Sequence, residues 1–367
     1  MEVGSGTPAA VQLCTRAGVQ AQIDCKPGAN LLESIVDAGW QVPHSCRRGV
    51  CLSCRAGLRA GEVDAPRNAD GQVLLCQARA RGPATLEVAQ LERAAAPQRL
   101  DSQARLYRLR RLAPDVAHLE LRLPNGVHPR WQAGQYLELI GPDGAVRSYS
   151  LARPPLPDAS LHLHIRLVPG GGFSGWLLQA WQQMQQRGTS RPPADTLRVR
   201  LPFGALALPA GGEGPAVLLA SGTGFSALGA IAEEAIARRD PRPLHLYWGA
   251  RRPEDLYDLP RAEALARAHP ALRLVPVLSE PPAGVGWTGR TGLVHHAVMQ
   301  DFSTLADVDV LACGAPAMLE AAERDFRRER GMRAERWRCD AFHVAAAPIA
   351  VATPADHGLP MSPAREA

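Results

Sequence analysis

Apolar positions along the chain change their spacing twice, at about residues 100 and 212. In the first stretch, Leu31, Leu32, Ile35 and Val36 fall at helical spacing behind Pro27-Gly28, and Asn30 is placed to cap the helix they predict. Val73-Leu74-Leu75 predicts a short buried strand that runs straight into Cys76, and Leu86-Glu87-Val88 predicts another. Ala94 to Gln98 reads as a linker. Beyond it, 118–123, 136–140, 145–151 and 161–168 approach an alternation of period two and are separated by Gly and Pro, which predicts an antiparallel barrel. One helix interrupts that barrel, from Ser174 to about Gln186, with Trp176, Leu177, Leu178, Trp181 and Met184 as its apolar set. In the last stretch strands and helices alternate. Strands are expected at 216–220, 244–248, 272–278 and 308–312, with helices near 226–237, 293–299 and 316–328. That alternation predicts a parallel sheet with its ligand crevice at the carboxyl ends of the strands. Residues 343–367 are rich in Ala and Pro and read as a disordered tail.

Composition adds little beyond class. The chain has 367 residues, enough for two or three domains, with 46% apolar and 21% charged residues. A net charge of +5 is too mild to point to nucleic acid. No secretory signal is visible at the N-terminus, and no apolar run approaches the roughly 18–20 residues of a membrane span. A cytoplasmic protein is therefore expected, and its eight cysteines are expected to be thiols or metal ligands rather than disulfides.

Four of those cysteines carry the sharpest signal. Cys46, Cys51 and Cys54 have the C-x4-C-x2-C spacing that, with one distant cysteine, holds a plant-type [2Fe–2S] cluster, and Cys76 is available as the fourth ligand. Gly49 lets the loop close around the site. Structural zinc is the competing reading, but zinc sites usually pair two C-x2-C units or add histidines. Elsewhere, Ser221-Gly222-Thr223-Gly224 lies directly between a predicted strand and a predicted helix, where backbone N–H groups and the helix dipole suit a pyrophosphate. Alternation puts Arg147 and Tyr149 on one face of a barrel strand, a pairing that suits a phosphate beside a planar heterocycle. Gly170-Gly171-Gly172-Phe173-Ser174 supplies a second helix start of the same kind.

Taken in order, these motifs resemble one family. They are the cysteine set, Gly134-Gln135-Tyr136, Arg147-Ser148-Tyr149-Ser150, Gly171-Gly172-Phe173-Ser174, Ser221 to Phe225, Tyr247 to Arg251, Cys313-Gly314-Ala315-Pro316 and Asp340-Ala341-Phe342. The chain resembles ferredoxin reductase-like oxidoreductases that carry a fused N-terminal plant-type ferredoxin domain. That group includes the reductase components of bacterial aromatic oxygenases and the CDP-6-deoxy-3,4-glucoseen reductases. The resemblance implies a multidomain α+β and α/β architecture: a β-grasp-like [2Fe–2S] ferredoxin domain at 10–92, an FAD-binding antiparallel β-barrel at 103–210 and an NAD(P)-binding parallel-sheet domain at 214–342.

The same resemblance implies roles. Arg147 holds the FAD pyrophosphate, Tyr149 stacks on the flavin, Ser150 bonds near flavin N5, and Gly171, Gly172 and Ser174 support the diphosphate. Gly222, Thr223 and Gly224 cradle the nicotinamide nucleotide, Cys313 and Gly314 flank its ring, and Phe342 covers the flavin face. Ser150, Cys313 and Phe342 thus form the expected catalytic set. Leu52 stands where relatives usually have Gly, the Cys54–Cys76 segment is short, and Ser226-Ala227 replaces a common alanine-proline pair. Cys14 and Cys25 match no ligand and are expected to be structural.

The implied activity is electron transfer from NADH, with NADPH less favoured, through FAD and the cluster to an external redox protein. An oxygenase component is the first expectation for that protein and a deoxysugar dehydratase the alternative. The rival from another class is a zinc-containing nucleotide-sensing module. Arg47, Arg48, Arg55 and Arg59 crowd the cysteine loop with no acidic residue between Cys46 and Gly61, so an acidic docking face on the partner is also expected.

Overall fold

In a computed structural model, three sheets follow one another along the chain. The structure describes residues 8–47, 49, 52–68, 71–93, 98–190, 192, 196–212, 214–281 and 286–342. Arg48, Cys51, most of the expected linker and the expected tail therefore lie outside the described residues.

The first sheet holds β1 (Ala9–Cys14), β2 (Gln20–Cys25), β4 (Arg55–Asp64), β5 (Val73–Leu74) and β6 (Arg79–Val88) in the order β2-β1-β6-β4-β5. Only β1 and β6 run parallel; the other pairs are antiparallel. Helix α1 (Leu31–Asp37) buries Leu31, Leu32 and Ile35 against this sheet. Its start is set as expected: the Asn30 side chain accepts the Glu33 N–H at 3.1 Å. A short ribbon of β3 (Trp40–Gln41) and β7 (Glu92–Arg93) closes the far side, with Trp40 opposite Arg93. Cys25 is a buried core thiol and Cys14 Sγ donates to the Leu86 carbonyl, so both serve packing.

The second sheet is antiparallel, in the order β11-β10-β13-β8-β9-β12. Its strands are β8 (Leu100–Ala113), β9 (Val116–Arg122), β10 (Tyr136–Ile140), β11 (Val146–Ser150), β12 (Leu161–Arg166) and β13 (Thr196–Phe203). A bridge between Leu151 and Leu163 brings the two ends together into a barrel. Helix α2 (Gly172–Gln186) buries Phe173, Leu177, Ala180 and Met184. Leu178, expected to face inward, is exposed, and Ala180 takes the inward position. Phe173, Leu177, Ala180 and Met184 recur every three or four residues and make one inward stripe, which leaves Leu178, next to Leu177, turned away from it.

The third sheet is parallel throughout, in the order β17-β16-β15-β14-β18-β19. Its strands are β14 (Ala216–Ser221), β15 (Leu244–Ala250), β16 (Leu272–Leu278), β17 (Arg290–Thr291), β18 (Asp309–Gly314) and β19 (Trp337–Ala341). Helices α3 (Phe225–Ala237), α4 (Leu259–Ala268), α5 (Val294–Asp301) and α6 (Pro316–Arg330) cover it. All six residues of β18, and five of six in β14, are buried, as expected for strands covered on both faces. Among the described residues, no helix is long and apolar enough to cross a membrane.

A candidate electron-transfer site where three modules meet

The cysteine loop is shaped by its own backbone. Arg47 and Leu52 both adopt positive φ, at 56° and 55°, so the turn that presents Cys46 and Cys54 uses left-handed geometry at two residues that carry side chains. Leu52 supplies the conformation that glycine would give freely, and its side chain packs on the first core. The Leu75 N–H donates to the Cys54 carbonyl at 3.0 Å, which sets Cys54 beside the turn carrying Cys76; both are buried. Gln77 holds the rest of the loop. Its Nε2 donates to the Arg47 carbonyl at 3.3 Å and lies 3.7 Å from Cys76 Sγ. Cys46, Cys54 and Cys76 are thus gathered around one turn, a soft sulfur set that fits iron–sulfur ligation, while Cys51 is outside the described residues.

Ser45, immediately before the first cysteine, joins the three sheets. The Tyr136 hydroxyl of β10 donates to the Ser45 carbonyl at 2.8 Å. The Ser45 hydroxyl donates to the Asp340 carboxylate of β19. Ser45, Tyr136 and Asp340 are all buried, so this junction is protected from water. Burial also pushes the Tyr136 hydroxyl well above the usual phenol range, which keeps it a donor at any working pH. Further contacts seal the same seam: Ser53 Oγ lies 3.4 Å from Cys339 Sγ, Gln90 donates to the Glu335 and Trp337 carbonyls, and Arg55 pairs with Glu323 of α6.

Across the hairpin, Tyr136 is in register with Ser150. Ser150 Oγ is buried and has no hydrogen-bond partner, an arrangement that costs stability unless a bound group completes it. Tyr149 sits next to it, half-buried against the barrel core and near Phe173, with its hydroxyl pushed up by burial. Arg147 reaches the start of α2. Its guanidinium makes a two-point contact with Asp143, at 2.9 and 2.6 Å, and a Cβ built on Gly172 would lie 2.9 Å from that same carboxylate. The hydrogen bonds from Arg147 lower the Asp143 carboxyl from its ordinary value. Ser174 is already used in shaping this turn, since its hydroxyl accepts the Val168 N–H at 2.9 Å. The orphaned hydroxyl, the half-buried ring and the arginine at an uncapped helix start fit a flavin dinucleotide.

The third group of expected residues gathers at the carboxyl edge of the parallel sheet. A 3-10 turn at Gly222–Gly224 leads directly into α3. Any side chain on Gly224 would collide with the Cys313 carbonyl, and one on Gly314 with Ser221 Oγ. The two glycines therefore let the loops after β14 and β18 touch, and Ser221 Oγ accepts the Ala315 N–H at 3.0 Å. Trp248 Nε1, from a buried ring of β15, donates to the Gly222 carbonyl at 3.0 Å and so anchors the turn to the sheet. Cys313 is fully buried, and burial pushes its thiol up, so it stays protonated. Phe342 is half-buried, and its N–H donates to the Gly314 carbonyl at 2.8 Å.

Sequence reasoning missed two residues here. Asp143 was hidden because a Pro-Asp-Gly turn gives it an ordinary structural explanation. Arg166 of β12, paired with Asp115, lies beside Gly222 and so carries positive charge to the nucleotide loop.

Comparison with known proteins decides the family. Residues 14–81 match the 2Fe-2S iron-sulfur cluster binding domain, and residues 218–324 match the oxidoreductase NAD-binding domain. Over 330 residues the chain is 34% identical to terephthalate 1,2-dioxygenase reductase component 2 of Comamonas, covering 87% of this chain and 93% of that one. It belongs to the iron–sulfur flavoprotein reductases. The reductase is also 33% identical over 323 residues to the CDP-6-deoxy-L-threo-D-glycero-4-hexulose-3-dehydrase reductase of Yersinia pestis, covering 86% of this chain and 93% of that one. Its fold matches the crystal structure of the Amycolatopsis reductase GcoB with a TM-score of 0.69 and 34% identity, over 90% of this chain and 98% of that one. The reductase is an NAD(P)H-dependent FAD/[2Fe–2S] electron-transfer oxidoreductase that serves an external redox partner.

The expected basic docking loop is altered by the structure. Arg47 pairs with Glu33, Arg55 with Glu323 and Arg59 with Glu87. Three of the four arginines are thus engaged within the chain, and Arg48 lies outside the described residues. Composition counted the positive charges but not the carboxylates that folding brings to them.

Proposed function

We propose that Cys46, Cys51, Cys54 and Cys76 hold the cluster, and that Arg147, Tyr149 and Ser150 hold FAD with Gly171, Gly172 and Ser174 beneath its diphosphate. Gly222, Thr223, Gly224 and Gly314 receive the nicotinamide nucleotide in this reading. The observation that carries it is the Ser45 junction, where the residue before Cys46 is bonded at once to Tyr136 and to Asp340. Through Tyr136 it adjoins Ser150, and through Asp340 it adjoins Phe342, so the three expected centres share one buried seam. When bound, these groups supply the hydride and single-electron chemistry that side chains lack. The chain's own part is to orient them and exclude water. Ser150 offers a hydroxyl at the reacting edge, Cys313 contributes a neutral thiol, and Phe342 covers the face that nicotinamide must reach.

For the acceptor we propose an oxygenase component. Support comes from the Comamonas relative, although the Yersinia relative is nearly as similar and favours a deoxysugar dehydratase. Reconstitution of purified reductase with one component of each kind tests the choice, and faster turnover with the dehydratase overturns it. NADH is the proposed donor on family resemblance alone. Arg251 and Arg252 are exposed just after β15 and would suit a 2′-phosphate, so steady-state kinetics is the necessary test. A higher kcat/KM for NADPH overturns the choice.

A further inference from the structure

The cysteine loop is enclosed by β19 and α6 on one side, through Ser45, Ser53 and Arg55. On another side, next to Cys46, lies a shallow open cleft whose walls include Trp40, Gln41, Arg47, Arg99 and Phe203. Two aromatic rings line it, and each carries guanidinium groups. The Arg93 guanidinium, outside the cleft wall itself, sits 4.2 Å from the centre of the Trp40 ring that lines it, while those of Arg47 and Arg99 lie 4.9 and 5.3 Å from the Phe203 ring centre. The charge of Arg47 is matched by Glu33. Arg93 and Arg99 are exposed and have no carboxylate partner among the described residues. Their neighbours Glu92 and Glu33 are occupied by Arg338 and Arg47. Stacking on an aromatic face holds a guanidinium extended and leaves its N–H edge open for a carboxylate.

We propose that this cleft is where the electron acceptor docks, and that it receives an acidic segment of that protein. The carboxylates of the segment pair with the outward N–H edges of Arg93 and Arg99, which the Trp40 and Phe203 rings hold in place. The proposal rests on the reading of Cys46 as a cluster ligand. Electron transfer weakens steeply with distance, so an acceptor gains most by docking beside the cluster loop, and the Arg47 wall is one residue from Cys46. The floor is fixed independently of the partner. Phe203 stacks on Tyr136 at 5.7 Å, and the Tyr136 hydroxyl is bonded to Ser45, so contact in the cleft bears on the residues that set the cluster in place. Trp40 and Arg93 are likewise held opposite each other by the β3–β7 ribbon.

An acidic plant-type ferredoxin is a suitable probe, with cationic cytochrome c as its counterpart. Binding of the ferredoxin to full-length, cofactor-loaded reductase is measured by calorimetry at low and high salt. It is compared with the double variant Arg93→Glu/Arg99→Glu and with a double variant of two exposed arginines elsewhere, Arg267→Glu/Arg328→Glu. The cleft variant is expected to bind at least tenfold more weakly at low salt, to converge with wild type at high salt, and to reduce cytochrome c faster. The remote variant changes net charge equally and is expected to stay within twofold of wild type. Undiminished ferredoxin binding in the cleft variant, or an equal loss in both variants, overturns the proposal. The EPR signal after chemical reduction is recorded for each protein. Its absence from wild type would defeat the cluster reading itself, and so separates that failure from a failure of the cleft.

Discussion

Replacing Ser150 by Ala should have opposite effects on the flavin-free and flavin-bound protein. In the structure the Ser150 hydroxyl is buried with no partner. A buried hydroxyl left unsatisfied costs about 1–3 kcal/mol, and alanine is close enough in shape to leave little cavity. Taking the low end, deflavinated Ser150→Ala should gain about 1 kcal/mol, roughly 2–4 °C in Tm for a unit of 150–250 residues. With FAD bound, the variant forgoes a hydrogen bond whose net value is about 1 kcal/mol. The two terms add in the binding equilibrium, so the FAD Kd should rise by about 2 kcal/mol, or roughly 30-fold. Thermal unfolding of the deflavinated proteins gives the first term, and fluorescence titration with FAD gives the sum. A variant that loses stability without flavin and binds FAD as tightly as wild type would refute the reasoning, because the hydroxyl would then not face the flavin.

Two other outcomes follow from charge and burial. Asp143 places a carboxylate between Arg147 and the start of α2, where the resemblance puts a diphosphate, so Asp143→Asn should tighten FAD several-fold in the same titration; weaker binding would mean that Asp143 serves to aim Arg147. His118, His162 and His164 form a partly buried group with Tyr257 between the barrel and the parallel sheet, and burial lowers all three, His118 to about 3. Because they stay neutral in the fold but bind protons near pH 6.5 when unfolded, their contribution is complete above that pH and is lost as pH falls toward 3. Asp258, pushed up to about 6 by burial, acts in the opposite sense but is a single group. Urea midpoints should therefore fall steeply below pH 6, less so in His118→Leu, and a midpoint flat from pH 7 to 4.5 would contradict this.

Much of the architecture was legible because its signals are local. The Asn30 cap, the apolar spacing of α1 and the buried runs of β14 and β18 need no distant partner to be recognised. Less legible were β8, α4 and β19. Strand β8, Leu100–Ala113, was not among the expected strands, and register shifts near Arg108 and Ala113 break its alternation. Helix α4 fully buries only Ala262, with Leu259, Leu265 and Ala266 half-buried beside it, so its apolar stripe is short and weak. Strand β19 mixes Trp, Arg, Cys and Asp, yet it supplies Asp340 to the site. The motifs themselves could be read along the chain, but their meeting could not. Ser45 and Asp340 lie 295 positions apart, and Tyr136 lies 91 from Ser45. The same limit applied to Arg55, whose partner Glu323 is contributed by a helix of another sheet.

The most direct test of the central claim is the cofactor content of protein purified without oxygen, read by metal and flavin analysis together with EPR, in wild type and in Cys54→Ala. About one FAD and two irons per chain are expected in wild type, with an EPR signal typical of a reduced [2Fe–2S] centre on addition of NADH. Cys54→Ala should lose iron and that signal while keeping flavin and NADH oxidation with a two-electron dye. Stoichiometric zinc in place of iron, or a wild-type protein without flavin, would contradict the account.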